Sequence, residues 1–298
     1  MQGGAPHHVV AQRESRTGFG IAMMALAVLF FTCIDTSAKW LVTAGIAAIQ
    51  VAFVRYAVHF LLALVLFLPI EGRAALRSNA PRRQLLRAAF LFGSTVFNFS
   101  ALQFLPITVT TTIMFAGPIA VTVLAIPILR ERVGLHRLAA VCAGFMGVLV
   151  VMQPWGAEFH PAMLLSVAAM TMAALYFIMT RMLAGIERNA TSQIWASGLA
   201  TLCLGPFAIP VWQWPDAGVD WVPFVMIGVF GGVGHIFATY AHRMADASVL
   251  APIIYIQIVL AAVASIVVFA VWPTVWTLGG GLIIAAAGLY IWWRERRR

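Results

Sequence analysis

Long uninterrupted apolar runs constrain this chain more than any other feature of its sequence. A helix needs about 20 predominantly apolar residues to cross a bilayer, and the charged residues lie almost entirely between such runs. A β-barrel would show short segments of alternating polarity instead. Soluble domains carry about 25% charged residues, whereas this chain carries 10%, with 62% hydrophobic residues. The sequence therefore predicts an all-α integral membrane protein.

The apolar runs predict ten transmembrane helices, and the fifth is the shortest. They cover Gly18–Leu41, Ala47–Pro69, Leu85–Phe104, Ile107–Leu129, Leu138–Met152, Pro161–Leu183, Ser192–Trp212, Trp221–His242, Ser248–Val271 and Val275–Trp293.

Arginine is concentrated in every second joint between these spans. Basic joints follow spans two, four, six and eight, and the first and last segments of the chain are basic as well. Lys39, at the end of span one, is the exception. Because cytoplasmic joints carry the excess of Lys and Arg, both termini are expected in the cytoplasm. The same pattern accounts for the formal net charge of +9, so we expect the lipid bilayer, and no nucleic acid, as a partner.

The spans divide into two sets of five that resemble one another faintly. Phe115 corresponds to Tyr255, and Gly147 to Gly288, at an offset of about 140 residues. Halves with an odd number of helices must run in opposite directions, which is the inverted repeat of many secondary transporters. A solute site is then expected near mid-membrane between the halves. The expected units are a cytoplasmic tail, two five-helix repeats and a basic cytoplasmic tail: 1–17, 18–152, 161–293 and 294–298.

Several short motifs give the chain a family resemblance over nearly its whole length. They are Asp35-x-x-x-Lys39-Trp40, Phe53-x-Arg55-Tyr56, Leu105-Pro106-Ile107, Arg130-Glu131-Arg132, Gly147 and Gly288. With these motifs the chain resembles the drug/metabolite transporter superfamily, specifically its paired EamA-type halves. Within it, the chain looks most like the aromatic amino-acid exporters, and S-adenosylmethionine carriers share the stretch from Asp35 to Lys39. The resemblance implies a multi-pass carrier of the bacterial inner membrane, with a small-molecule substrate and no cofactor.

Three charged residues stand well inside the predicted spans. Asp35 and Arg55 lie roughly 9 Å and 12 Å from the outer ends of adjacent helices, at about 1.5 Å per residue. Asp35 and Lys39 are four residues apart, in the favourable order for an ion pair. Ionisable groups in a bilayer normally have partners and often mark substrate or proton pathways. The alternatives are an ion-pair network that pins spans one and two, or a site for substrate charge or proton coupling.

Polar and aromatic residues on the central helices are the candidates for a substrate cavity, since family members place the corresponding helices around the central pathway. These residues are Ser94, Asn98, Thr108, Thr111, Thr112, Phe115, Tyr176, His235, Thr239, Tyr255 and Gln257. Their alternative role is hydrogen bonding between helices. A second set, Pro118, Gly231, Gly232 and Pro252, could act as hinges or gates, or merely permit close packing.

The sequence lacks the signatures of several other classes. The only lysine is Lys39, so no Walker A loop exists, and no His-Glu-x-x-His or other metal-ligand pattern occurs. We therefore predict a secondary exporter of amino acids, including aromatic ones, that works by alternating access. The alternatives are a carrier for S-adenosylmethionine, drugs or nucleosides, and, more remotely, a membrane-embedded lipid-modifying enzyme. The sequence leaves open whether the carrier is a monomer and whether protons drive it.

Overall fold

A computed structural model describes residues 7–129, 135–156, 159–183, 186–216, 218–245, 250 and 253–296. These ranges are helical and contain no strand. The helices are α1 (His7–Thr43), α2 (Ala48–Glu71), α3 (Pro81–Leu102), α4 (Ile107–Met114), α5 (Gly117–Leu129), α6 (Leu135–Met152), α7 (Met163–Leu183), α8 (Asn189–Ala208), α9 (Trp221–Met244), α10 (Ile256–Phe269) and α11 (Val275–Arg296). Short 3₁₀ turns lie at Gly72–Leu76, Ile209–Val211 and Gly218–Asp220.

Length and apolar composition make most of these helices suitable for crossing a membrane. Eight candidate spans occur within the described residues, and one of them, Ile107–Ile128, combines α4 with α5. Two shorter apolar helices, Leu138–Met152 and Ile256–Phe269, occupy the places of predicted spans five and nine. The protein is thus a multi-pass, all-helical membrane protein. The total of ten spans and the side on which the termini lie stay predictions.

Two helix boundaries differ from the sequence-based expectation. The helix that contains span one begins at His7, within the expected tail 1–17, because no Gly or Pro lies between Pro6 and Gly18. Predicted span four is not continuous, since α4 ends at Met114 and α5 begins at Gly117. Pro118 has no N–H to donate to the carbonyl oxygen of Met114, four residues earlier, and its ring crowds that carbonyl group, which explains the break.

Predicted span nine is interrupted near the corresponding place. A turn at Tyr255 precedes α10, and the ring of Tyr255 packs against that of Phe115 at 5.5 Å between centroids. The expected hinge residue Pro252 lies outside the described residues. The breaks in spans four and nine therefore lie against one another, at Phe115 and Tyr255, which correspond to each other in the two halves of the sequence.

The most extensive helix pairings join the first half of the chain to the second. They are α1 with α9, α3 with α7, α6 with α11, and α2 with α8. The last pair is antiparallel, because Phe53 lies near Gly205 whereas Phe60, further along α2, lies near Gly198. Each further pair has a counterpart in the other half. The α2–α9 pair corresponds to the α8–α3 pair, and the α1–α10 pair corresponds to the packing of α7 on α4 and α5. Exchanging the two halves leaves this set of packed pairs unchanged.

Glycines of α9 bring that helix close to α2. A Cβ atom at Gly228 would collide with Val58 and stand 2.9 Å from the backbone oxygen of Arg55. A Cβ atom at Gly232 would stand 2.6 Å from Cδ2 of Leu62. Small residues at helix interfaces allow such close approach. The contact holds the part of α2 that carries Arg55 close to α9.

Candidate substrate site and family membership

The carboxylate of Asp35 is held by two amides from distant helices. Asn98 on α3 donates from Nδ2 to Oδ1 at 3.1 Å, and Gln257 on α10 donates from Nε2 to Oδ2 at 3.5 Å. Asp35 itself is partly exposed, whereas Asn98 is only 8% exposed. The structure thus brings together three predicted site residues, one of them from the second half, around one partly accessible carboxylate.

Arg55 lies beside this group and has an incomplete set of partners. Its Nη1 donates to Oγ1 of Thr95 at 2.6 Å, and its guanidinium lies over the rings of Tyr56 and Phe99, at 4.7 and 5.9 Å from their centroids. Its Nε is buried and has no hydrogen-bond partner among the residues that the structure describes. Gly231 leaves room for it, since a Cβ there would be 3.6 Å from Nε. Gly231, a predicted hinge, is therefore placed against the guanidinium.

Lys39, the third predicted charge, has a different partner. Its Nζ donates to the backbone oxygen of Leu102 at 2.7 Å, at the C-terminal end of α3, where carbonyl groups lack helical partners and attract cations. Trp40, next to it, donates from Nε1 to Oδ1 of Asp220 at 2.7 Å. These contacts place Lys39 at the end of a helix, apart from the amides that hold Asp35.

Two histidines stack at the centre, and sequence reasoning named only one of them. The rings of His59 on α2 and His235 on α9 are nearly parallel, with 5.7 Å between their centroids and 13° between their planes. Arg55 and Arg87 both lie within electrostatic range of His235. His59 is 3% exposed, and within the described part of the chain its Nδ1 has no hydrogen-bond partner. Helical spacing could have found it, because it follows Arg55 by four residues on the same face.

Arg87 was also missed: it lies at the start of predicted span three, and sequence reasoning counted it with the basic joint that precedes the span. It is 6% exposed and donates to Thr180 Oγ1 at 2.8 Å, to the backbone oxygen of Ser192 at 3.1 Å and to the hydroxyl of Tyr176 at 2.9 Å. The ring of Tyr176 also lies 4.7 Å from the guanidinium carbon. Arg87 thus links α3 to α7 and α8, and Tyr176 is one of its partners.

The remaining predicted cavity residues are dispersed. Ser94, Thr108, Thr111 and Thr112 are buried, and Thr112 packs against Gly281 of α11. Phe115 belongs to an apolar cluster. The hydroxyl of Tyr255 lies against Gly288. Thr239 donates to the backbone oxygen of His235 at 2.9 Å.

The two predicted hinge residues not yet placed are also described. Pro118 is exposed at the start of α5, and Gly232 packs against α2. Among the described residues, no group of three or more His, Cys, Asp or Glu is arranged for a metal ion.

Contacts between the halves tie the joints at both ends of the bundle. At the basic end, Glu187 accepts from the hydroxyl of Ser78 at 2.6 Å and from the N–H of Ala80 at 2.8 Å, while Arg188 pairs with Glu71 at 3.6 Å. At the other end, Gln50 donates to the backbone oxygen of Gln213 at 2.6 Å and accepts from its N–H at 2.9 Å. We call the contacts of Glu187 and Arg188 the basic-end tie, and the contacts between Gln50 and Gln213 the acidic-end tie.

Comparison with known proteins decides the family. Residues 18–153 and 160–293 each match the EamA-like transporter family. The chain belongs to the EamA-like transporter family. This membership places it among the drug/metabolite transporters, as its motifs suggested.

Named relatives cover nearly the whole of this EamA-like transporter. A riboflavin transporter of Rhizobium johnstonii is 29% identical over 97% of this chain and 96% of its own. An S-adenosylmethionine uptake transporter of Rickettsia felis is 28% identical over 93% of this chain and 94% of its own. A solved structure has the same fold, with a TM-score of 0.64 at 17% identity over 93% of this chain and 98% of that one. The names of these relatives favour the alternative carrier prediction over amino-acid export.

Proposed function

We propose that this EamA-like transporter takes up a neutral, flat nitrogen heterocycle that bears a polyol chain, as in riboflavin. The observation that carries the proposal is the net charge of the ionisable side chains that α1, α2, α3 and α9 bring into the interior. Arg55 and Arg87 contribute two positive charges and Asp35 one negative charge, so one net positive charge remains if His59 and His235 are neutral. Charges in a low-dielectric environment interact strongly, so a neutral substrate is favoured over a cationic one.

S-adenosylmethionine is the second candidate, and Asp35 is the observation that favours it. That molecule carries a sulfonium and an ammonium group, and the partly exposed carboxylate of Asp35 could bind either of them. The amides of Asn98 and Gln257 already hold the carboxylate, so a cationic ligand would compete with them or bind beside them. The net charge of the centre opposes this arrangement, and we rank the candidate second.

Uptake into proteoliposomes distinguishes the candidates. Purified protein is reconstituted, and accumulation of labelled riboflavin and labelled S-adenosylmethionine is measured against empty liposomes. We expect saturable riboflavin uptake that excess unlabelled riboflavin abolishes and that S-adenosylmethionine hardly affects. The opposite preference would select the second candidate. Counterflow of amino acids, with neither of these substrates transported, would instead restore the original sequence-based prediction.

Transport by alternating access between two inverted five-helix repeats is the mechanism we propose. It is supported by the two family matches and by a set of packed pairs that exchanging the halves leaves unchanged. In such carriers the halves rock around a site between them. The protein would lie in a bacterial inner membrane with its basic joints inside. The two ties would then serve as gates, and at least one must break for solute to pass.

Glu187 is expected to control the gate at the basic end. Its carboxylate receives two hydrogen bonds from the other half, and charge-assisted bonds each contribute about 1.5–3 kcal/mol. Glu187→Gln should therefore shift the population toward a conformation that is open at this end. Spin labels at Arg77 and Ile186, both exposed, in a background without Cys33, Cys142 and Cys203, should report longer distances in the variant.

The acidic end provides the matched control for this measurement. Asp220→Asn keeps an oxygen for Trp40 and lies at the acidic end of the bundle, away from both labels, so the distance between the two labels should not increase. An unchanged distance in Glu187→Gln, with normal folding, would show that the basic-end tie is not a gate.

A further inference from the structure

The seam where α1, α2 and α9 meet has free space beside Gly231. A Cβ atom there would stand 3.6 and 3.8 Å from Nε and Cγ of Arg55 and 3.9 Å from Cδ1 of Ile34, which are ordinary van der Waals distances. At the three other glycines of α9 a Cβ atom would come within 3.0 Å of a side chain of α1 or α2. The close packing of α9 thus leaves room for one further atom at Gly231. We call this space, bordered by Gly231, Arg55 and Ile34, the Gly231 notch.

The Nε atom of Arg55 borders the notch and has no hydrogen-bond partner within the described part of the chain. The side chain cannot easily turn to find one. Its Nη1 is held by Oγ1 of Thr95 at 2.6 Å, and the rings of Tyr56 and Phe99 lie beside its guanidinium. Arg55 is only 6% exposed, and an unpaired buried donor is costly. A polar ligand, or water in its absence, is therefore expected next to Nε.

The size of the notch and the chemistry of Nε together select the atom that fits. An arginine Nε can only donate, and a charged donor binds oxygen acceptors strongly. A space for one atom admits an oxygen that projects from a ring. A ring nitrogen lies within the ring edge, so the neighbouring ring atoms would have to enter with it. The notch therefore suits a carbonyl oxygen.

We propose that the Gly231 notch, with Nε of Arg55 as the donor, binds one ring carbonyl oxygen of the transported heterocycle. The isoalloxazine ring of riboflavin carries two such oxygens. This inference rests on the proposed function and specifies which atom of the substrate the protein recognises. It also gives Gly231 a role in specificity, because a side chain at this position would take the place of the oxygen.

A carboxylate oxygen is the second source of the same chemistry. S-adenosylmethionine has a carboxylate on its amino-acid part, whereas its adenine projects an amino group, which is a donor like Nε. Asp35 follows Ile34 on α1 and lies within electrostatic range of Arg55. A carboxylate in the notch would be repelled by Asp35, since like charges interact unfavourably at short range. A neutral carbonyl group avoids this repulsion.

Replacing one ring oxygen of the ligand by sulfur tests the notch without altering the protein. Binding of riboflavin, 2-thioriboflavin and 4-thioriboflavin to the purified full-length protein is measured by titration calorimetry. One of the two analogues should bind about tenfold more weakly than riboflavin, because sulfur is larger and a weaker acceptor. The other analogue should bind like riboflavin. Equal binding of all three ligands would overturn the notch as a carbonyl site.

Gly231→Ala should fill the notch without disturbing the fold. The added methyl group makes only ordinary contacts, so the thermal midpoint should match that of the wild type. Riboflavin should bind about tenfold more weakly, and the difference between the two thio analogues should disappear. Gly93→Ala is the matched control. Its Cβ would stand 3.7 Å from the side chain of Met172, and it should bind all three ligands as the wild type does.

A double-mutant cycle shows whether Arg55 is the donor. Arg55→Lys keeps the charge and lacks Nε, and should weaken riboflavin binding about tenfold. If both changes remove the same contact, adding Gly231→Ala to Arg55→Lys should weaken binding by less than about twofold more. Multiplying effects would mean that the methyl group only blocks the ring, which would overturn the role of Arg55.

Binding by the wild type separates failure of the notch from failure of the proposed function. Protein that binds riboflavin but does not distinguish the thio analogues would overturn the notch alone. Protein that binds no riboflavin would overturn the proposed function and this assignment with it. Binding of S-adenosylmethionine instead, with a loss in Gly231→Ala, would overturn the ring carbonyl and identify a carboxylate oxygen in its place.

Discussion

Gly228→Ala is expected to destabilise the protein severely, although it adds only one methyl group. The new Cβ would collide with Val58 and stand 2.9 Å from the backbone oxygen of Arg55. A backbone atom cannot rotate away as the end of a flexible side chain can, so α2 and α9 must separate. Overpacking of this kind costs about 1–3 kcal/mol. A thermal unfolding scan in detergent should show a clearly lower midpoint and less monodisperse protein.

Gly231→Ala is the matched control on the same helix. Its nearest neighbour would be Nε of Arg55 at 3.6 Å, an ordinary van der Waals contact. The midpoint should stay near that of the wild type. Equal stability of the two variants would mean that α2 and α9 do not approach as closely as described.

Asp35→Asn is expected to lower the transport rate about 10–100-fold, the equivalent of one lost charge-assisted hydrogen bond. The carboxylate accepts from both Asn98 and Gln257, whereas the amide of an asparagine has one oxygen. Its NH₂ group would face another NH₂ group, and the centre would gain one positive charge. The measurement is uptake into proteoliposomes, divided by the amount of inserted protein.

Measuring both counterflow and uptake driven by a pH gradient distinguishes proton coupling by Asp35 from a role in substrate binding or structure. If Asp35 carries a coupled proton, Asp35→Asn should retain counterflow while losing uptake driven by a pH gradient. If it serves substrate binding or structure, both should fall. Thr36→Ala is the control and should transport normally, because the hydroxyl of Thr36 donates to the backbone oxygen of Thr32 on its own helix. Unimpaired uptake by Asp35→Asn would remove Asp35 from the site.

The sequence predicted the helices well and the contacts of the site only in part. Apolar length decides where a chain can span a membrane, so most predicted spans match helices. Asp35, Asn98 and Gln257 were each recognised as polar residues in a span, but their meeting depends on how three helices are rotated. Sequence spacing carries no information on such rotations between helices that are far apart along the chain.

Arg87 illustrates a second difficulty, a buried charge that sequence reasoning assigned to a joint between spans. A count of charges assigns it to a basic joint, and only its burial between α3, α7 and α8 shows that it is part of the interior. The break in span four was easier to foresee, because Gly117 and Pro118 are visible in the sequence. Lys39 was placed in a charge network by its spacing from Asp35, whereas a free carbonyl group of α3 is its partner.

The pairing of helices across the halves has a consequence for biogenesis. The most extensive interfaces of α1, α2, α3 and α6 are with helices made later, so these four helices leave the ribosome before their partners exist. Arg87, which donates hydrogen bonds to α7 and α8, must wait in lipid, in the translocon or in a water-filled cleft until the second half is inserted. Synthesis of the chain in two separate pieces should therefore yield stable protein only when both pieces are present in the same membrane.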